Sequence, residues 1–331
     1  MRALRGSGSA PPNIAFLKYW GKRDPDRNLP FTDTVAVVLD RGRTRVTVTE
    51  AGQDEVWWEL DGALRKLEGG LVSPYVRMMD HVRAAGSRSV ALRVEIRPSL
   101  PPRAGFAGSA AAMAALAVAL EDAFGLELDP WERSALARIG SGSAARSVPD
   151  GFVRWHAGSD PGGLDSYAET LHPPEHWAEL RVILVPADTR AKDVPSTRAM
   201  LRTQETSPLF EAWLERCRGD LPRILDALLR RSLPALGPVV EGNARFMHAT
   251  ALAADPPILF WTRDTIRVLE AAAALRGAGV PVWSTVDAGP NPCLLTLEDH
   301  RERVVQVVRD VLPGVEPVVA GPGLGAAPGL P

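Results

Sequence analysis

Residues Ala110 to Phe124 read AAAMAALAVALEDAF, a run of strong helix formers with almost no polar face, stopped by Gly125. A helix apolar nearly all round is expected to be buried, with other elements of the fold wrapped about it. Just upstream, Val90, Leu92, Val94 and Ile96 alternate within SVALRVEIR, the period of a strand with one face turned inward. Between the two, Pro101-Pro102-Arg103-Ala104-Gly105 interrupts any regular element. The resulting order is strand, glycine turn, buried helix.

Elsewhere RTRVTVTE at 43–50 reads as a strand and LRVILVP at 180–186 as a buried one. The stretch 187–207 is long, polar and without apolar period, as expected of a functional loop or a linker. Helices are predicted over 208–217, 221–231 and 263–276. The chain then runs strand 281–286, turn DAGPN, strand 293–296, helix 300–312 and strand 315–319, an α+β pattern. A length of 331 residues suits two domains, and the boundary is set near 187. This gives an amino-terminal lobe at 10–186 and a carboxy-terminal lobe at 187–320. Residues 1–9 are short of core formers and 321–331 are rich in Pro, Gly and Ala, so both ends are expected to be poorly ordered tails.

Acidic and basic side chains nearly cancel, 40 against 38, which removes the net field that would draw the chain to nucleic acid or an anionic membrane. Any anionic ligand must therefore meet a local cluster. Cys217 and Cys293 lie far apart without CxxC spacing, so neither a disulfide framework nor a zinc site is suggested, and a reducing, cytoplasmic setting is expected. The amino terminus lacks an apolar signal core and no stretch of about 18 apolar residues occurs, so no membrane-spanning segment is predicted.

Four segments could carry chemistry. Gly105-Phe106-Ala107-Gly108-Ser109-Ala110 opens the buried helix, where glycines let the backbone approach an anion and free N–H groups attract phosphate. Ser109 could add a hydroxyl to phosphate or to phosphate-bound Mg²⁺; the plain alternative is a serine-capped turn. The segment is neither a Walker A loop nor a dinucleotide GxGxxG. In Asn13-Ile14-Ala15-Phe16-Leu17-Lys18-Tyr19-Trp20-Gly21-Lys22, two lysines sit in an apolar, aromatic setting, where a buried ammonium needs a partner charge; a solvated surface pair is the alternative. Gly140-Ser141-Gly142-Ser143-Ala144-Ala145-Arg146-Ser147 offers hydroxyls and a planar guanidinium fork for a carboxylate or phosphate, unless it is only a flexible loop. Asp287-Ala288-Gly289-Pro290-Asn291 follows an apolar strand. Its aspartate is either a turn residue or, beside a phosphate and a substrate hydroxyl, a proton acceptor.

His172 and His176 have helical spacing, but Pro173-Pro174 breaks that helix, so both are read as structural. His248 is read as a core residue. No HExxH or GxSxG occurs, which argues against metalloprotease and α/β-hydrolase chemistry.

In their order and separation these segments resemble diphosphomevalonate decarboxylases of the GHMP kinase superfamily. The resemblance rests on APPNIAFLKYWGKRD with NLP at 28–30, LPPRAGFAGSAA, GSGSAARS with GFVRW, KDVPSTRAM, ARFMHAT with PPI at 256–258, and TVDAGPNP. It implies an α+β fold of the GHMP kinase type in two lobes. The amino-terminal lobe would be of a kind shared with a ribosomal protein domain and the carboxy-terminal lobe ferredoxin-like. It also implies ATP and Mg²⁺, a phosphorylated mevalonate as substrate, and a homodimer. Matched position by position, Asp287, Arg146 and Lys18 would be catalytic, with Asn13, Tyr19, Lys22, Ser141, Ser143 and Arg146 binding substrate. Gly105, Ala107, Gly108, Ser109 and Ser196 would meet ATP, Ser109 also through its Mg²⁺.

Several positions depart from the family pattern. Gly108 stands for the first serine of the phosphate loop, and Pro195 and Ala199 alter the loop that closes over ATP. Asp33 adds a carboxylate after NLP. Ser73 and Pro74 occupy the place of a basic residue, with Arg77 as a substitute. These changes keep open a decarboxylase of mevalonate 5-phosphate, a mevalonate 3-kinase, or a catalytically silent relative.

Overall fold

A computed structural model describes residues 4–85, 90–99, 108–190 and 193–329. The chain opens with β1 (Arg5–Ala10), β2 (Asn13–Leu17), β3 (Lys22–Asp24), β4 (Leu29–Pro30) and β5 (Thr34–Val38). Next come β6 (Thr44–Ala51), β7 (Glu55–Leu60), β8 (Ala63–Lys66), α1 (Ser73–Ala85) and β9 (Ala91–Pro98). Helices α2 (Gly108–Phe124) and α3 (Pro130–Gly140) lead to β10 (Phe152–Trp155), β11 (Ala168–His172) and β12 (Leu180–Leu184). Four helices follow: α4 (Ser196–Thr206), α5 (Phe210–Leu229), α6 (Leu233–Leu252) and α7 (Arg263–Gly277). The chain closes with β13 (Trp283–Val286), β14 (Pro292–Leu297), α8 (Arg301–Val311), β15 (Val318–Ala320) and β16 (Ala327–Pro328).

The strands form a sheet in the order β16-β1-β6-β9-β7-β8, a second in the order β11-β10-β5-β2, and a third in the order β13-β14-β12-β15, with β3 and β4 as a small ribbon. Among the pairs of the first sheet only β7 with β9 is parallel. The first two sheets and α1 to α3 make the amino-terminal lobe, and the third sheet with α4 to α8 makes the other. The α+β expectation is met.

The apolar helix is enclosed as expected, with every residue from Ala110 to Leu120 buried on α2. What encloses it corrects the expectation for the described residues of the first tail, 4–9. Arg5–Ala10 is a strand between β6 and β16, and its glycines lie against the helix backbone. A Cβ on Gly6 would stand 2.2 Å from the Ala119 carbonyl oxygen, and one on Gly8 2.3 Å from that of Ala115. The segment looks poor in core formers because helix and strand approach too closely there to admit side chains. At the opposite end the described residues 321–329 are likewise not a loose tail. Ala327–Pro328 pairs with β1, and Gly323 N donates to the Val38 carbonyl at 2.8 Å.

The lobe boundary also moves. The sequence pattern puts LRVILVP in the first lobe, but β12 lies between β14 and β15, so the carboxy-terminal lobe begins near 180. The polar stretch after it contains α4, and the two helices expected at 208–217 and 221–231 are one, α5, continuing through Pro222. Packing carries α5 past the proline: Trp213, Leu214, Ile224 and Leu228 all join one cluster. That cluster crosses between lobes, combining Ile14 and Phe16 of β2 and Val35 and Val37 of β5 with Val182 and Leu184 of β12 and Leu236 and Val240 of α6.

If Gly8 is there for backbone approach, Gly8→Val should lower stability by about 3 kcal/mol through forced overpacking. Ser7→Thr, on the other face of β1, should change it little. Denaturant midpoints of the two variants check this.

Candidate functional site between the lobes

β2 is buried along its length and delivers Lys18 through Lys22 to the junction of the lobes. Gly21 turns this segment at φ +108, and a Cβ there would meet the Phe210 ring at 2.7 Å. Lys18 is 2% exposed; its Nζ donates to the Ala15 carbonyl at 3.0 Å and forms an ion pair with Asp287. Asp287 follows β13 directly, in the turn to β14. Residues from opposite ends of the chain thus meet.

Arg146 comes from the 3-10 turn Gly142–Ser147 and is 3% exposed. Its Nε donates to Asn13 Oδ1 at 2.9 Å and its Nη1 to Thr34 Oγ1 at 3.0 Å, both neutral acceptors. Burial pulls the guanidinium down to about 10, with the field of Asp287 opposing. Asn13 is fixed in turn, its Nδ2 donating to Ser147 Oγ at 2.8 Å and the Ser143 carbonyl at 3.1 Å. The hydroxyls of Ser141 and Ser143 lie 3.2 Å apart. Gly142 between them packs against Tyr19, whose ring a Cβ would meet at 2.7 Å.

Tyr19 sits edge-on to Trp155 at 4.8 Å, and burial pushes its phenol well above the usual range against the fields of Arg146 and Arg138. Lys22, 4% exposed, donates to Asn28 Oδ1 at 2.7 Å and to Thr197 Oγ1 at 3.1 Å. Burial lowers its ammonium to about 8, and the charge of Arg77 adds to this. Arg77 on α1 therefore shares a neighbourhood with Lys22, as the substitute proposed for the missing basic residue would.

Gly108 and Ser109 are the exposed first residues of α2, with its free N–H groups. Gly105 and Ala107 lie outside the described residues. Ser196 opens α4 beside the Thr197 that reaches Lys22. Asp33 is engaged by Arg154 at 2.5 Å and by Ala157 N at 2.8 Å. His172 and His176 stack at 4.0 Å off any α-helix, as a structural pair. His248 is buried as expected, yet its Nε2 lies 3.2 Å from the Val286 carbonyl oxygen, adjacent to Asp287. Burial holds its imidazole down to about 4, so it is neutral at neutral pH and donates from Nε2.

Two participants escaped the sequence reading. Arg138, 4% exposed, is clamped by the carbonyls of Ser166 at 2.9 Å, Gly163 at 3.0 Å and Arg27 at 2.5 Å, and burial lowers it to about 10. Asn28 donates to the carbonyls of Arg138 and Ile139, each at 3.0 Å, tying the Lys22 acceptor to the end of α3. The NLP motif was the available signal for Asn28; for Arg138 there was none. Together Lys18, Lys22, Arg138 and Arg146 are the lysines and arginines buried among the described residues, and Asp220 is the buried acid. An excess of buried cations in one region suits a multiply charged anion.

Comparison with known proteins matches both lobes to one family. Residues 10–168 match the diphosphomevalonate decarboxylase-like N-terminal domain, and residues 181–320 match the mevalonate 5-diphosphate decarboxylase C-terminal domain. A diphosphomevalonate decarboxylase of Candida albicans is 32% identical, covering 91% of this chain and 87% of its own. A solved structure of MDDEF in complex with MVAPP, AMPPCP and magnesium superposes with TM-score 0.93 at 32% identity, over 99% of this chain and 100% of that one. The Staphylococcus aureus mevalonate diphosphate decarboxylase gives 0.92 at 31% identity, covering 99% and 98%. The fold is that of an ATP-dependent carboxy-lyase. Within that class the chain belongs to the diphosphomevalonate decarboxylase family.

The depressed Lys22 ammonium makes a stability prediction. Its pKa falls from 10.5 unfolded to about 8 folded, so between those values the unfolded chain binds more protons. Stability should therefore rise with pH across that window as the burial penalty is relieved. Lys22→Met should flatten the rise, as measured by denaturant unfolding from pH 7 to 10.5; an equally steep rise in the variant would remove the assignment.

Proposed function

We propose that this cleft converts mevalonate 5-diphosphate and ATP to isopentenyl diphosphate, CO₂, ADP and phosphate. The observation that carries the reading is the Lys18–Asp287 ion pair beside Arg146, in a cleft whose buried cations outnumber its buried acids. Arg146 holds the C1 carboxylate through its planar fork, with Ser141 and Ser143 beside it and Asn13 fixing the guanidinium. Tyr19 and Lys22, backed by Arg77, take the 5-diphosphate.

A tertiary hydroxyl leaves poorly, and phosphorylation repairs that. Asp287 orients the C3 hydroxyl and accepts its proton as the oxygen bonds the γ-phosphorus of ATP, releasing ADP. The C3–O bond then breaks with its electron pair going to phosphate. The C1–C2 pair becomes the C2=C3 double bond and CO₂ departs. Lys18, a fixed cation, screens charge among aspartate, carboxylate and the transferred group. Gly108, Ser109 and Ser196 serve ATP, together with Gly105 and Ala107.

Among the described residues no group of three or more His, Cys, Asp or Glu could hold a metal. That fits Mg²⁺ carried by the phosphates of ATP, with the Ser109 hydroxyl as its protein ligand. Bound there, it would neutralise charge on the transferring phosphoryl group. The reading extends to a homodimer, which the family resemblance implies. It also extends to a reducing, cytoplasmic setting, which the buried free thiols of Cys217 and Cys293 suit. No described helix is long and apolar enough to cross a membrane.

Incubation with ATP, Mg²⁺ and mevalonate carrying one or two 5-phosphates tests the reaction. Equimolar isopentenyl diphosphate, CO₂, ADP and phosphate are expected from the diphosphate. ATP consumption without CO₂ would make the protein a 3-kinase. Asp287→Asn should lower kcat about a thousandfold with ATP affinity nearly unchanged. Arg146→Lys should cost roughly a hundredfold despite its charge, because the fork is lost; near-normal turnover in either variant would take that residue out of its role.

A further inference from the structure

Helix α6 touches both halves of the Lys18–Asp287 pair through side chains for which the reaction above has no use. It packs against β2 of one lobe and β13 of the other. Asn243, 0% exposed, accepts the backbone N–H of Lys18 at 3.0 Å and donates from Nδ2 to Asp220 Oδ2 at 3.1 Å. Asp220, the buried carboxylate of α5, also receives Arg216 Nε at 2.6 Å and Arg223 Nη1 at 3.3 Å. An ionised carboxylate can only accept, so it draws Nδ2 toward α5 and leaves Oδ1 for Lys18. Turning the amide over would set donor against donor at Lys18 and acceptor against acceptor at Asp220.

The Lys18 N–H depends on this contact, because the pairing of β2 with β5 ends at Leu17. Further along α6, roughly 7.5 Å up its axis, His248 Nε2 holds the Val286 carbonyl at 3.2 Å, one residue before Asp287. The imidazole is boxed by Phe260 and Trp261, with ring centroids at 5.8 and 4.9 Å. Both reacting charges are thus tethered by their backbones to one rigid helix.

We propose that Asn243, oriented by Asp220, is a positioning residue that fixes where Lys18 stands relative to Asp287, with α6 as the spacer between the two charges. On the decarboxylase reading given above, which this assignment presupposes, a small displacement of Lys18 strips Asp287 of its nearest cation. Groups that stay near Asp287 include Arg146 from the 3-10 turn, neutral His248 from α6 and the Cys293 thiol from β14. The carboxylate becomes easier to protonate, and the base is lost at a higher pH.

Wild type, Asn243→Asp, Asp220→Asn and the double variant, each as the purified full chain, are compared for kcat, for KM of both substrates and for the pH dependence of kcat. Asn243→Asp brings two carboxylates face to face. It should lower kcat about tenfold or more, move the acid limb of kcat to higher pH and leave KM for ATP within roughly twofold. In the double variant an acceptor again faces Lys18 and an amide donor faces it from α5, so most of the loss should be recovered and the acid limb should return. Asp220→Asn alone releases the amide to take either sense and should fall between wild type and Asn243→Asp. It carries the test if Asn243→Asp does not fold. Wild-type kcat and pH profile in the measurable single variant, or a double variant no better than it, overturns the assignment. A wild type that releases no CO₂ removes the decarboxylase reading instead, so the two failures are distinct.

Discussion

Four cations withdrawn from water in one region set the terms for the rest of this structure. Burying an ammonium or guanidinium costs several kcal/mol unless charge or dense hydrogen bonding compensates. Lys18 has an ion pair, Arg138 has three backbone carbonyls, and Lys22 and Arg146 have only neutral oxygens among their described hydrogen-bond partners. Lys22, Arg138 and Arg146 accordingly have lowered pKa values, through burial first. Such a cleft is incompletely compensated on its own, and on the proposed function an anionic substrate would supply the missing charge.

Holding these groups in place requires that neither lobe yield. The apolar cluster shared by β2, β5, β12, α5 and α6 makes the junction a core rather than a hinge of loops. Close backbone packing does the same within the first lobe, where the glycines of β1 let α2 approach and both chain ends enter one sheet. Helix α2 is thereby fixed to β1, the strand that leads directly into β2 and Lys18, and rigid elements of this kind are what a precise site requires.

The candidate site was legible wherever a short segment carried its own signal. Lysines amid aromatics at 13–22, hydroxyls flanking an arginine at 140–147 and an aspartate after an apolar strand each suggested chemistry, and their combination suggested a family. Arg138 gave no signal, because its partners are carbonyls, which every sequence has. Asn243 carried no signal of its own and His248 reads as a core residue, and their partners, Lys18 and Val286, lie far away in the chain. The tails were misread for a related reason. Low side-chain content signals disorder when nothing packs against it and intimate packing when a helix does, and composition is the same in both cases.

By itself the sequence determined the local physics. It set a helix too apolar to be exposed, strands with one inward face, turns forced by Pro and Gly, and the kinds of group available for acid–base and anion chemistry. These depend on neighbours along the chain, so they survive without coordinates. Only the tertiary structure decided that β12 belongs to the second lobe, that Arg5–Ala10 lies against α2, and that Lys18 meets Asp287 while α6 holds both. Those facts depend on strand register and on contacts between residues hundreds of positions apart, which a linear pattern does not encode.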